Sequence, residues 1–178
     1  VLMESGGTVT ARAQSTQPDM ADAILTAVRE TLAGAKHDRP AAAGVSFPDP
    51  SPTSWPADLS FLSAAIGESV PVRMLSTGNA SALAEAWHGS GRGARDLIAF
   101  SVGPSVSAGI ISHGTLLAGA HGLAASVQWF ALNPVERDDY RRMGCLEAEG
   151  GSAGIVRRLV WRIKAGDRLS VLDLAGGD

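Results

Sequence analysis

The chain has 178 residues, 45% of them hydrophobic and 19% charged, a balance that places it among globular proteins able to bury one sizeable core or two small ones. A net charge of -3 offers no cationic surface to nucleic acid or to an anionic membrane, so this chain itself is expected to contact neither. One cysteine, Cys145, excludes an intrachain disulfide and fits a reducing, cytoplasmic setting. The apolar run from Leu116 to Val127 is interrupted by Gly119, His121 and Gly122 and is too short to span a bilayer, and the first residues lack the basic-then-apolar pattern of an export signal.

In chain order, VLMESGGTVTARAQSTQP predicts two strands about a Gly6-Gly7 turn. An opening in mid-hairpin predicts a further segment before Val1, and the closing LDLAGGD also reads as interrupted. Asp19 to Ala35 carries an apolar stripe of Ile24, Leu25, Val28 and Leu32 and predicts a helix closed by Gly34 and packed on a sheet. Ala42 to Phe47 is a buried-strand candidate ended by Pro48, and the proline-rich Pro48 to Pro56 is a loop. Leu59 to Ile66 predicts a helix stopped by Gly67, and Val70 to Met74 a strand that shares one mixed sheet with Ala42 to Phe47. Asn79 to Trp87 predicts a helix, and the glycines of His88 to Gly93 a domain hinge. Asp96 to Val102 and Ala108 to His113 predict two strands of a second sheet, with His113-Gly114 turning into Thr115 to Leu117. Ile155 to Lys164 predicts an amphipathic helix with Ile155, Leu159 and Ile163 on one stripe, its basic residues forming a solvated face. His37, His88, His113 and His121 fall in predicted loops or turns, and no Ser-His-Asp or metal-spaced cluster emerges from them.

Three segments carry chemical motifs: Leu75-Ser76-Thr77-Gly78-Asn79 before a helix, the turn Val102 to Ile110, and Gly119 to Glu147. Their order and spacing resemble the ROK family of bacterial sugar kinases and sugar-responsive transcriptional repressors, from about Val1 to Arg158 and most strongly between Asn79 and Gly122. In that family an E-N-D-A-N segment supplies the aspartate base that takes the proton from the sugar hydroxyl. Here the aspartate position is Thr77 and only Asn79 agrees, while the residues alone read as a helix N-cap. The family's glycine-rich phosphate loop, L-G-T-G-I-G-G-G-I, aligns on Val102 to Ile110. It keeps Gly103 and Gly109 but places Ser105, Ser107 and Ala108 at glycine positions and Pro104 where a backbone donor would stand, a degenerate phosphate loop that also reads as an ordinary turn. The other family phosphate loop, D-x-G-G-T-K, is absent, Gly6-Gly7-Thr8 being assigned to the hairpin.

The family segment G-A-H-G-G-A-G-E-I-G-H, which supplies a glutamate and a histidine, aligns on Gly119 to Trp129 with those two residues replaced by Ser126 and Trp129. The zinc element C-x-C-G-x-x-G-C-x-E aligns on Asp138 to Glu147 and retains Gly144, Cys145 and Glu147. One of four ligands survives, so no metal is expected; Trp129 and Tyr140 are expected to pack near Cys145 and Leu146 instead, with Cys145 a small buried residue. Asn79, Glu147, Ser76, Ser126 and Trp129 are the sugar-binding candidates, and Thr77 marks a base position with no catalytic residue.

The resemblance implies an α/β protein with the two-domain architecture of actin-like and hexokinase-like ATPases (ribonuclease H-like), incomplete at both ends. A partial first domain would cover residues 1–93 and the start of a second 94–178. The degenerate motifs imply a non-catalytic member, the sugar-sensing or assembly portion of a transcriptional regulator. A diverged ATP-dependent kinase of hexoses or N-acetylhexosamines and a ligand-free scaffold are the alternatives. No cofactor is expected, ATP and Mg entering only with the kinase alternative; the expected partners are a sugar effector and further copies of the chain through self-association.

Overall fold

The computed structural model of the chain describes residues 1–35, 40–48, 59–168 and 170–174. His37 and residues 49–56 of the proline-rich loop lie outside the described residues. Strands β1 (Leu2–Met3) and β2 (Val9–Ala11) form the expected antiparallel hairpin, with Gly7 at φ 86° in the turn. Helix α1 (Met20–Ala33) begins at Asp19, whose carboxylate accepts the Asp22 backbone N–H at 3.0 Å.

The predicted stripe of α1 packs as read. Ile24, Leu25, Val28 and Leu32 close over a core of Leu59, Leu62, Ile66 and Val70, joined by Ala43 and Val45 of β3 (Ala43–Phe47) and by Val72 and Met74 of β4 (Val72–Ser76). The two strands pair in parallel, Ala43 opposite Val72 through Phe47 opposite Ser76. The expected mixed sheet is therefore a parallel pair, because the connection between the strands carries helix α2 (Ser60–Ile66) and parallel neighbours need such a crossover. Strand β4 starts later than predicted: the Val70 N–H is committed to a turn with the Gly67 carbonyl, and Pro71 has no N–H to give.

Strand β4 runs directly into α3 (Thr77–His88), and β5 (Leu97–Val102), β6 (Val106–Ser112) and β7 (Thr115–Leu116) form a separate antiparallel sheet in that order. The start of α3 lies on β6 at backbone distance. A Cβ on Gly109 would collide with the Gly78 carbonyl, and one on Gly78 with the Ala108 carbonyl. The other face of β6 carries Val106 and Ala108, which are covered by Val127 of the 3₁₀ turn Val127–Trp129 together with Ala125 and Leu146. On the same face of the edge strand β5, Ile98, Phe100 and Val102 are 67%, 55% and 54% exposed.

The chain continues through α4 (Asp138–Met143), α5 (Cys145–Gly150), α6 (Ser152–Lys164) and α7 (Ser170–Leu174). Helix α6 starts earlier than predicted and leaves Ile155 exposed, while Leu159 and Ile163 are half-buried. Arg158, Arg162 and Lys164 lie on the predicted solvated face, whereas Arg157 is half-buried and pairs with Asp139 of α4. Among the described residues no helix is long and apolar enough to cross a membrane.

The Gly78–Gly109 approach sets a direct test. Gly109→Ala forces α3 off β6 and should destabilise the chain by about 1–3 kcal/mol, the usual cost of overpacking. Gly103→Ala, whose Cβ meets nothing within 4 Å, should stay within about 0.5 kcal/mol of the parent in the same urea titration.

Candidate functional site

Three motif segments converge where α3 begins. Ser76 is both the last residue of β4 and the N-cap of α3, its hydroxyl oxygen accepting the Asn79 N–H at 3.2 Å. Thr77, at the family's base position, is the first residue of the helix and half-buried. Asn79 is enclosed at 3% exposure, and its Oδ1 has no hydrogen-bond partner among the described residues.

Gly103, Pro104 and Ser105 link β5 to β6 as a short hairpin turn. The Gly103 N–H donates to the Ser105 carbonyl at 3.1 Å, and the Gly103 carbonyl accepts the Ser152 N–H at the start of α6 at 2.9 Å. The Val106 N–H donates to Glu147 Oε2. Two of the backbone donors that a phosphate cradle would present, Gly103 and Val106, are thus engaged, and Pro104 has none. Glu147 Oε2 thereby holds the first residue of β6.

A pocket beside this turn is lined by Ser76, Gly78, Val106, Ser107, Ala125 and Gln128, among others. Of the predicted residues, Ser76 and Ser107 meet there; Thr77, Asn79, Ser126, Trp129 and Glu147 do not line it. The Ser126 hydroxyl donates to the Leu123 carbonyl. Trp129 is 51% exposed, which corrects the expectation that it packs near Cys145 and Leu146. The 3₁₀ turn directs Val127 and Gln128 inward and leaves Trp129 and Phe130 outward, with the Trp129 backbone N 3.0 Å from where a Cβ on Gly144 would stand. Gln128 was missed by the motif reading. The signal available was a long amide side chain aligned with a glycine of the family segment. Ala125, likewise aligned with a glycine, keeps the left-handed backbone at φ 63° that glycine favours.

Where the zinc element aligns, the structure has an ionic cluster. Tyr140, Cys145 and Ala148 are buried together. The Tyr140 hydroxyl donates to Glu149 Oε1 at 2.6 Å, and Arg137 bonds both that oxygen and Asp139 Oδ2. Arg157 pairs with Asp139 and donates to the Ala148 carbonyl, Arg158 pairs with Glu149, and the Arg137 guanidinium stands 5.1 Å from the centre of the Tyr140 ring. Cys145 Sγ accepts the Leu132 N–H. Among the described residues no group of three or more His, Cys, Asp or Glu side chains is placed to hold a metal ion.

One constellation appears that the sequence reading did not find. Asp96 Oδ1 accepts from the Ser112 hydroxyl and from the His113 N–H, and Ser112 Oγ lies 3.0 Å from His113 Nδ1. The carboxylate bonds the serine and a backbone amide rather than the imidazole, so no base-orienting relay is formed. The three residues lock the exposed β6–β7 turn, which holds His113 at φ 53°.

Comparison with known proteins converges on one family. The ROK family profile matches residues 59–173. A glucokinase of Halalkalibacterium halodurans is 31% identical over 90 residues, 49% of this chain and 27% of that enzyme. The ROK glucokinase of Streptomyces griseus in complex with glucose and AMPPNP superposes with a TM-score of 0.71 at 21% identity, over 99% of this chain and 61% of that one. A ROK transcriptional regulator homologous to the E. coli MLC protein gives 0.63 at 24% identity, over 87% of this chain and 43% of that one. Structural matches at these identities establish the fold, the α/β actin-like ATPase architecture, and this chain spans only part of the length of each relative.

Hydrogen bonding to Glu149, with burial behind it, raises the Tyr140 hydroxyl above its ordinary value. The folded chain then keeps this proton to higher pH than the unfolded chain, so the contribution is complete below about pH 10 and is lost as pH rises through the folded value. Tyr140→Phe should lower the thermal midpoint at pH 7 and flatten its decline above about pH 10 relative to the parent, read by circular dichroism.

Proposed function

This chain belongs to the ROK family, and within it we propose a protein that binds a sugar without phosphorylating it, the effector-sensing or assembly portion of a transcriptional regulator. The observation that carries this reading is the turn at 103–105. ATP and Mg²⁺ would be held in such a fold by a backbone phosphate cradle, and the residues present do not fit one: Pro104 lacks a donor, while the Gly103 and Val106 N–H groups are committed to Ser105 and Glu147. A threonine hydroxyl at position 77 is no base near neutral pH, and loss of a positioned general base costs about a hundredfold to ten-thousandfold in rate. The diverged-kinase alternative draws its support from the identity to a glucokinase, and it would require another donor set for the nucleotide.

Self-association and a cytoplasmic location belong to the same reading. So does a division near residue 93 into two domains, with the Gly78–Gly109 contact as their meeting point.

The chain should show no ATP-dependent turnover of glucose, N-acetylglucosamine or N-acetylmannosamine in a coupled ADP assay. Thr77→Asp alone should remain inactive, since the cradle is independently disrupted. Robust turnover by a full-length preparation would replace this reading with the kinase one.

No zinc is assigned, the Tyr140 and Arg137 cluster standing in for it. Elemental analysis should find no stoichiometric zinc, and EDTA should leave the thermal midpoint unchanged. One zinc per chain would show that the ligands lie elsewhere than at Cys145.

A further inference from the structure

A surface helix ordinarily lays its apolar stripe on its neighbours. Helix α6 does the reverse. The side that meets α4 and α5 carries Gly154, Arg157 and Trp161. A Cβ on Gly154 would collide with the Ala148 carbonyl, Arg157 bonds Asp139 and that same carbonyl, and the Trp161 ring takes the Arg137 and Arg157 guanidiniums at 5.3 and 5.5 Å. At about 3.6 residues per turn, Ile155, Val156, Leu159, Val160 and Ile163 fall together on the opposite side. Ile155, Val156 and Val160 are 55%, 57% and 39% exposed, Leu159 and Ile163 are half-buried, and none of the five joins a core cluster among the described residues.

The charges beside the stripe indicate what fits it. Arg158 and Arg162 line one edge, and each is neutralised within its own chain, Arg158 by Glu149 at 3.0 Å and Arg162 by Asp167 at 2.7 Å. An acidic partner would have to compete with those carboxylates. An identical helix would not, because two copies laid antiparallel set neutralised edges side by side and oppose their helix dipoles. Between residues 155 and 163 that side of the helix is aliphatic throughout, so such a pairing buries no polar group without a partner. Half-covered side chains of this size each leave on the order of 50–100 Å² open, so two facing stripes would remove roughly 500–1,000 Å², the size of a weak, reversible interface.

We propose that α6 is the contact through which two copies of this chain associate, the two helices antiparallel about a two-fold axis. Leu159 and Val160 lie at the crossing, and Val156 of each copy packs on Ile163 of the other. The inference rests on the self-association part of the proposed function and names the surface that performs it.

The test is sedimentation equilibrium of the 178-residue chain, of Val156→Glu and Val160→Asn in α6, and of Phe100→Lys on the exposed row of β5. All three positions are exposed, and circular dichroism confirms the fold of each variant. The parent is expected to show a monomer–dimer equilibrium with a midpoint on the order of 10–100 μM, moved at least about tenfold higher by either α6 variant and left in place by Phe100→Lys. A dimer that both α6 variants leave intact overturns the role of α6 while self-association stands. Equal weakening by Phe100→Lys also overturns it, the contact then not being that of α6. Species larger than a dimer overturn the closed two-fold pairing. A parent chain that stays monomeric up to about 1 mM, well above that range, removes self-association and this inference together.

Discussion

The whole arrangement depends on two glycines that let a helix and a strand touch through their backbones. Gly78 in the first turn of α3 and Gly109 in the middle of β6 meet with no side chain between them. Helix–sheet contacts are ordinarily set by side chains on both surfaces, and removing them draws the helix closer to the sheet. Because Ser76 caps that same helix and Ser107 lies two residues from Gly109, the contact places the end of the parallel pair beside the second sheet and creates the pocket between them. A side chain at either glycine would reposition the pocket wall as well as cost stability.

The cluster joining α4, α5 and α6 follows a different logic. Asp139 and Glu149 are shared among Arg137, Arg157 and Arg158, with Tyr140 donating to Glu149. Partly buried charges of this kind gain little net stability as a set, because desolvation offsets attraction, but each becomes costly when its partner is removed. The cluster is therefore better understood as fixing the mutual placement of three helices than as a large source of stability. Arg157 shows the tension: its head groups are satisfied by Asp139 and the Ala148 carbonyl, while its Nε is buried without a partner among the described residues.

What was legible in the sequence follows from how local the determining physics is. The α1 stripe, the Ser76 cap and the β5–β6 hairpin are set by periodicity and by neighbours a few residues away, and the structure has them as read. The misses involve partners far apart in the chain. Glu147 braces the backbone of Val106, 41 residues earlier, at the end of a three-residue turn, a contact that no local pattern shows. Trp129 faces outward because a 3₁₀ turn assigns the inward positions to the two residues before it, something composition and alignment do not encode. Arg157 alone of the α6 basic residues leaves the solvated face, drawn to Asp139 once α4 folds beside it.

The row of Ile98, Phe100 and Val102 is a liability as well as a surface. It sits on β5, an edge of a three-stranded sheet, so an apolar face and a line of backbone groups unpaired among the described residues occur on one strand. An incoming strand along that edge would satisfy both at once, and an antiparallel second copy would bring the same three side chains against their symmetry mates. The opposite edge of that sheet, β7, offers two residues. A slipped register would leave part of the apolar row uncovered and open to further accretion.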